Sequence, residues 1–176
     1  LVIWEDALAP SWLPWFADLG AAAFERVELV QAVARARHAA ERPGGGAVIA
    51  PWPGGAEGEQ LLDALAAASA GTLNGVFQAA PAPPTVAAVR SGIARTLASV
   101  ERPFLPEASF VARLDGRAIG LVLTVAGTEP GEVLLYELLV DPAARGAGIA
   151  RRLIMAVQDA VLATGRARIR FLALGD

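Results

Sequence analysis

The chain of 176 residues contains no cysteine, no lysine and one histidine, His38. Without cysteine there are no disulfides, thiolate metal sites or thiol nucleophiles, and a single histidine excludes a multi-histidine metal site. A P-loop is excluded as well, because that motif requires a lysine. We therefore expect no bound metal, and we expect His38, which lies in a polar basic segment, to be on the surface.

The composition also lacks a long apolar run and a strong charge of one sign. No stretch approaches the roughly 18 apolar residues of a membrane helix, and the acidic, proline-containing start does not resemble a signal peptide. The 15 basic residues, all arginine, face 18 acidic residues, for a net charge of −3. This balance gives the protein no overall positive potential that would attract nucleic acid. We expect a cytoplasmic protein that binds neither membrane nor nucleic acid.

What is present is an apolar content of 55%, enough for a sizeable core. Short apolar runs predict strands, and apolar residues repeated every four positions predict a helix that begins near Gly148 and ends at Gly165. The predicted strands cover 47–52, 132–140, 168–176 and a hairpin within 109–127 that turns at Asp115 and Gly116; the other predicted helices cover 56–69 and 85–100. These elements form a domain over 43–176, preceded by a segment over 1–42 with helix-like residues 11–20 and strand-like residues 24–34.

Residues 140–152, VDPAARGAGIARR, connect the strand 132–140 to the helix near Gly148. The start of a helix leaves backbone amides without partners and carries a partial positive charge. Gly146 and Gly148 keep side chains away from those amides, while Arg145, Arg151 and Arg152 add positive charge. The loop therefore has the features of a phosphate site. A Rossmann fingerprint does not fit, because Arg151 stands where a small residue is required.

Residues 138–154, LLVDPAARGAGIARRLI, resemble the acyl-CoA-binding motif of the GNAT acetyltransferase superfamily: Arg145, Gly148 and Ala150 occupy its Arg, Gly and Gly-or-Ala positions. The resemblance extends over about 47–176. It implies an α/β (α+β) fold with a mixed, mainly antiparallel twisted sheet flanked by helices, and acetyl-CoA as cosubstrate. It also implies that a pantetheine arm pairs with Leu138, Leu139 and Val140, and that the pyrophosphate binds the main chain of Arg145, Gly146, Ala147, Gly148, Ile149 and Ala150, near Arg151.

The resemblance further implies transfer of an acetyl group to an amine, with Glu137 as the base that deprotonates the amine. Tyr136 should face the opposite side of its strand unless the strand bulges, and we expect it in the core. The family's general acid is a tyrosine on a helix after the next strand, but this chain stops at Asp176. Acid catalysis is therefore unassigned, and the thiolate would take its proton from water.

Two alternatives stay open. The chain is either an active N-acetyltransferase or a weak or inactive GNAT-fold module that binds acyl-CoA or serves in assembly; a nucleotide-binding module would rest on the anion site alone. The segment 1–42 is either the tail of a degenerate upstream GNAT half or a completing strand, helix and strand. We predict that 24–34 pairs with the sheet of the domain or with a second copy, which makes a homodimer a candidate. The acceptor, a small-molecule or peptide amine, would lie near 70–80 and 100–108.

Overall fold

The computed structural model describes part of the chain: residues 2–4, 22–24, 26–32, 46–69, 85–98, 100 and 102–174. The predictions for the helix-like residues 11–20, for His38 and for the acceptor-side residues 70–80 lie outside these ranges. Within them, no helix has the length and apolar character needed to cross a membrane.

Eight strands and three α-helices lie in the described residues. The strands are β1 (Val2–Trp4), β2 (Ala22–Phe24), β3 (Arg26–Ala32), β4 (Val48–Pro51), β5 (Phe110–Leu114), β6 (Arg117–Ala126), β7 (Glu132–Val140) and β8 (Arg168–Leu174). The helices are α1 (Gly55–Ser69), α2 (Val86–Leu97) and α3 (Ile149–Ala163). The helices and strands predicted after residue 43 are confirmed, with small shifts of their bounds.

Six of these strands form one open sheet in the order β3-β8-β7-β6-β5-β4. Neighbouring strands from β4 to β7 run antiparallel, β8 runs parallel to β7, and β3 runs antiparallel to β8. The parallel pair is joined through α3, as a crossover connection requires. The mixed, mainly antiparallel sheet flanked by helices confirms the predicted fold class.

Local sequence explains the boundaries of the central elements. Asp115 and Gly116 both have positive φ, 50° and 78°, as a two-residue hairpin turn between β5 and β6 requires. Helix α3 ends where predicted: Gly165 has φ of 70°, and the amide of Arg166 bonds back to the carbonyl of Val161 at 3.1 Å. This pairing satisfies carbonyls that the last helical turn leaves open.

Helices cover both faces of the sheet and create two cores. On one face, α3 packs through Ile149, Leu153, Val157 and Val161 against side chains that include Val122, Val133, Leu135 and Ile169; we term this the α3-side core. On the other face, α1 and α2 pack through Leu61, Leu62, Ala66 and Ile93 against Val111, Leu121, Leu123 and Leu139; we term this the α1/α2-side core. Strands β6 and β7, in the middle of the sheet, contribute to both.

The N-terminal segment reaches this sheet through β3. All seven of its residues pair with β8, from Arg26 opposite Leu174 to Ala32 opposite Arg168. This confirms the predicted pairing of the strand-like region with the sheet of the following domain. Strands β1 and β2 pair in parallel as a separate two-stranded sheet. The division of the chain at residue 43 stays a prediction.

Candidate active site

Helix α3 begins at the loop with the features of a phosphate site. Gly148 is its N-cap residue with φ of 77°, and Gly146 has φ of 79°. A Cβ at either glycine would project into open space, so glycine serves the left-handed backbone and leaves the loop surface uncovered. The amide of Arg152 makes the first bond of the helix, 3.1 Å to the Gly148 carbonyl. The amides of residues 149–151 precede that bond and are available to an anion.

Gly120 on β6 allows this end of α3 to lie close to the sheet. A Cβ at residue 120 would stand 3.0 Å from the carbonyl oxygen of Leu139, 3.2 Å from Ile149 Cγ2 and 3.3 Å from Leu153 Cδ1. Gly120 is also the partner of Val140, the last residue of β7. The absence of a side chain therefore brings the amides of α3 next to the end of β7.

Asp141, whose role the sequence analysis did not identify, braces the loop between β7 and α3. The residue is 7% exposed, and its side chain accepts a hydrogen bond of 2.9 Å from the amide of Ala143. It also forms an ion pair with Arg117, and its own amide bonds to the Ile119 carbonyl. The signal in the sequence was the Asp-Pro pair, since aspartate commonly accepts from the amide two residues on. The loop is thus held before any ligand binds.

The three arginines around the loop differ in their surroundings. Arg145 and Arg151 are exposed, as expected for side chains that attract an anion. Arg152 is half-buried, and its Nη2 donates to the carbonyl of Ala47 at 2.7 Å, which links α3 to the start of β4. This contact gives Arg152 a structural function in addition to the positive charge that it adds near the loop.

Strands β7 and β8 pair over only part of their length. The parallel register joins residues 132–135 to 168–171, and no further pair follows. From Tyr136 to Val140, the edge of β7 that faces away from β6 has no strand partner among the described residues. The side chains of Leu138 and Val140 pack in the α3-side core and that of Leu139 in the α1/α2-side core, so main-chain groups form this open edge. It leads directly to the loop before α3.

A β-bulge lies at the start of the open edge. Leu123 of β6 pairs with Glu137, whereas Thr124 pairs with Leu135, so Tyr136 is the extra residue. Leu135 and Leu138 both pack in the α3-side core, although residues three apart in a regular strand face opposite sides. Tyr136 and Glu137 therefore both face the α1/α2 side. The prediction of a core Tyr136 is wrong: the bulge leaves this side chain 37% exposed.

Glu137 lies half-buried on this face, opposite Leu123. Burial raises the pKa of its carboxyl group from 4.5 to about 7, because the protein interior disfavours the charged form. Among the described residues, none forms an ion pair with this carboxyl group. A group with this pKa exchanges protons readily near neutral pH, as a general base must. In the same part of the chain no three His, Asp or Glu side chains gather as metal ligands.

A family model described as the Acetyltransferase (GNAT) family matches residues 79–175. The match covers more than half of the chain and includes β7, the loop after it and all of α3. No curated protein matches the chain.

Two solved structures are similar to the chain, and the first of them shows the shared fold. A GCN5-related N-acetyltransferase from Sphaerobacter thermophilus has a TM-score of 0.62 and 18% identity; the match covers 96% of this chain and 48% of that one. The ribosomal-protein-S18-alanine N-acetyltransferase from Escherichia coli has a TM-score of 0.49 and 17% identity, over 70% of this chain and 64% of that one. The chain thus spans about half the length of the first protein and under two thirds of the second.

Proposed function

The chain belongs to the GNAT acetyltransferase family, and from that premise we propose that it transfers an acetyl group from acetyl-CoA to an amine by direct attack. The observation that carries the proposal is the junction between the open edge of β7 and the amides at the start of α3. A pyrophosphate fits the amides, because they offer several donors beside exposed Arg145 and Arg151. An amide-containing arm fits the main-chain groups of residues 138–140.

The reaction requires one proton to leave the amine and one to reach the sulfur. The amine nitrogen attacks the thioester carbonyl carbon, the carbon–sulfur bond breaks, and the thiolate takes a proton from water. Glu137 accepts the proton of the amine, directly or through a water molecule. Its raised pKa, about 7, supports this function, because the carboxylate form is present at neutral pH and still binds a proton well.

The acceptor is a small-molecule or peptide amine that approaches from the α1/α2 side, where Glu137 lies. Two charged groups of α1 on this side are already paired: Asp63 and Glu59 both contact Arg90, at 2.6 Å and 2.9 Å. The Glu137 carboxylate, which forms no ion pair with any described residue, then attracts a protonated amine. Cytoplasmic location and the absence of nucleic-acid and membrane partners remain predictions.

Gly148→Asp is the variant that tests the cofactor site. It is expected to weaken acetyl-CoA binding more than tenfold, because it strains a backbone with φ of 77° and places a negative charge at the amides. Isothermal titration calorimetry with acetyl-CoA measures the change. The matched control is Gly131→Asp, since Gly131 has φ of 73°, also faces open space, and precedes β7 at the opposite end of the sheet.

Equal affinities of these two variants and the wild type would contradict the assigned site. Transfer is tested separately, by mass spectrometry of a mixture of primary amines incubated with acetyl-CoA and the protein. Binding without acetylation of any amine would favour the alternative function, an inactive acyl-CoA-binding module.

Asp141→Ala is expected to weaken acetyl-CoA binding roughly fivefold, because a capping hydrogen bond is worth about 1 kcal/mol and the loop loses its brace. Asp141→Asn is the control: it retains an oxygen that accepts from the Ala143 amide and loses only the ion pair with Arg117, which is 72% exposed. The affinity of Asp141→Asn should stay within about twofold of the wild type, since exposed pairs contribute little. Equal losses in both variants would show that the ion pair, and not the cap, holds the loop.

A further inference from the structure

Tyr136, the chain's single tyrosine, is exposed at an unusual position. It lies in the middle of β7, a strand whose preceding residues 132–135 are all buried. Its neighbours Leu134 and Leu135 are 2% and 8% exposed, whereas Tyr136 is 37% exposed. The helices thus leave the α1/α2 face uncovered at this residue. An exposed aromatic side chain in such an opening is suited to bind a ligand.

The bulge gives Tyr136 the same orientation as Glu137. A classic bulge directs two consecutive side chains to one face, and β6 contains a second example: Ile119 is the extra residue between the pairs 112–120 and 113–118. Ile119 packs in the α3-side core, and a Cβ on Gly120 would also contact α3. The corresponding pair on β7, Tyr136 and Glu137, faces the α1/α2 side.

The described side chains around the pair on β6 and β7 are apolar. On this face, the neighbouring side chains of β6 and β7 are Leu123, beside Glu137, and Leu139, two residues beyond it, both buried in the α1/α2-side core. Glu137 forms no ion pair with any described residue. Among the described residues of this face, a ligand would therefore meet one carboxyl group, one phenol ring and aliphatic carbon.

We propose that the ring of Tyr136 contacts the acceptor and makes the site selective for primary amines on an apolar carbon framework. This inference rests on the proposed function. The carboxylate attracts the amine, the ring covers the adjacent carbons, and an aromatic face also favours a nearby ammonium group. Amines surrounded by hydroxyl groups bind less well, because the aliphatic walls cannot replace the water that those groups lose.

The test compares two probes, 2-phenylethylamine and glucosamine, with wild type, Tyr136→Phe and Tyr136→Ala. In the wild type, kcat/KM for 2-phenylethylamine should exceed that for glucosamine at least tenfold. Tyr136→Ala should raise KM for 2-phenylethylamine about tenfold and leave KM for acetyl-CoA unchanged. A tenfold rise is the expected effect when the ligand loses apolar contact equivalent to a few methylene groups. Tyr136→Phe retains the ring and should behave as the wild type. Val48→Ala is the control, because Val48 is 62% exposed and lies on the edge strand β4.

Any result other than those expected contradicts the proposed function of Tyr136. An unchanged KM for 2-phenylethylamine in Tyr136→Ala excludes contact with the acceptor. A loss of kcat in Tyr136→Phe shows that the hydroxyl group, and not the ring, is what matters. In both cases the wild type still acetylates an amine, so the proposed function survives. A wild type that binds acetyl-CoA but acetylates neither probe nor any amine of the mixture refutes the proposed function and this inference together.

Discussion

Replacing Glu137 with glutamine is expected to lower kcat roughly 100-fold, the lower end of what general base catalysis contributes. The amide cannot accept a proton from the amine, but it keeps the shape of the side chain on β7. Acetyl-CoA should bind with unchanged affinity, because the pyrophosphate and pantetheine contacts assigned to the chain are main-chain groups elsewhere. Initial-rate assays of the acetylated product measure kcat, and calorimetry with acetyl-CoA measures the affinity for the cosubstrate. Glu129→Gln, an exposed acid in the turn before β7, is the control.

The pH profile identifies the group. Because burial raises the pKa of Glu137 to about 7, wild-type kcat/KM should rise with pH through about 7 and level off above it. The acids of α1, which packs on this face, are held by arginines: Glu57 by Arg113, and Glu59 and Asp63 by Arg90. The acidic limb should therefore vanish in Glu137→Gln. A mutant that keeps this limb would show that another group is the base.

Stability gives a second readout that needs no activity. A carboxyl group whose pKa is raised on folding, here from 4.5 to about 7, contributes stability that is full below pH 4.5 and is lost as the pH rises through 7. A shift of this size corresponds to roughly 3 kcal/mol, since one pKa unit is about 1.4 kcal/mol. Urea unfolding at pH 5 and pH 9 should show this loss in the wild type and not in Glu137→Gln.

Much of the fold could be predicted because its signals are local. The Asp115-Gly116 turn, the apolar repeat of α3 and Gly165 each follow from the conformation of a few neighbouring residues. The left-handed backbone at Gly148 and the start of α3 also follow from a few neighbouring residues. These predictions agree with the structure to within a few residues.

The parts that could not be predicted depend on pairing between distant strands. The bulge at Tyr136 is defined by its register against Leu123 and Thr124, which no pattern within β7 reveals. Without the bulge, alternation places Tyr136 on the face opposite Glu137, and this is why we expected it in the core. Arg152 is similar: its partner is the carbonyl of Ala47, 105 residues away.

Glu132 is the other residue that sequence analysis did not identify, and its loss is expected to have the largest effect on stability. Its side chain is completely buried at the start of β7 and forms two parallel contacts with Arg170 of β8, at 2.8 Å and 2.9 Å. Gly127 makes room for it, since a Cβ there would stand 2.6 Å from Glu132 Cγ. The pair joins β7 to β8 at the end where the two strands are still hydrogen-bonded, before they separate at Tyr136.

Glu132→Gln is expected to lower the free energy of unfolding by about 3 kcal/mol or more, because it breaks the ion pair that holds a completely buried carboxylate. Urea unfolding measures the loss. The control is Glu57→Gln, which removes the same charge from a pair with Arg113; Glu57 is 60% exposed, so its loss should cost less than about 1 kcal/mol. Similar losses in both variants would mean that burial adds nothing to the pair.

A second substitution tests whether the charge of Arg170 or the packing of its side chain explains the loss of stability in Glu132→Gln. In Glu132→Gln, Arg170 keeps its charge although only 25% of its side chain is exposed. If this charge causes the loss of stability, Arg170→Met should restore stability in the Glu132→Gln background. It should do so even though it removes further hydrogen bonds. Buried pairs replaced by apolar residues of similar volume often keep their stability, which is the physical basis for this expectation. If Arg170→Met instead adds a further loss, the two side chains stabilise the β7–β8 junction mainly through packing and hydrogen bonds. The charge of Glu132 would then not be what holds the strands together beside the open edge.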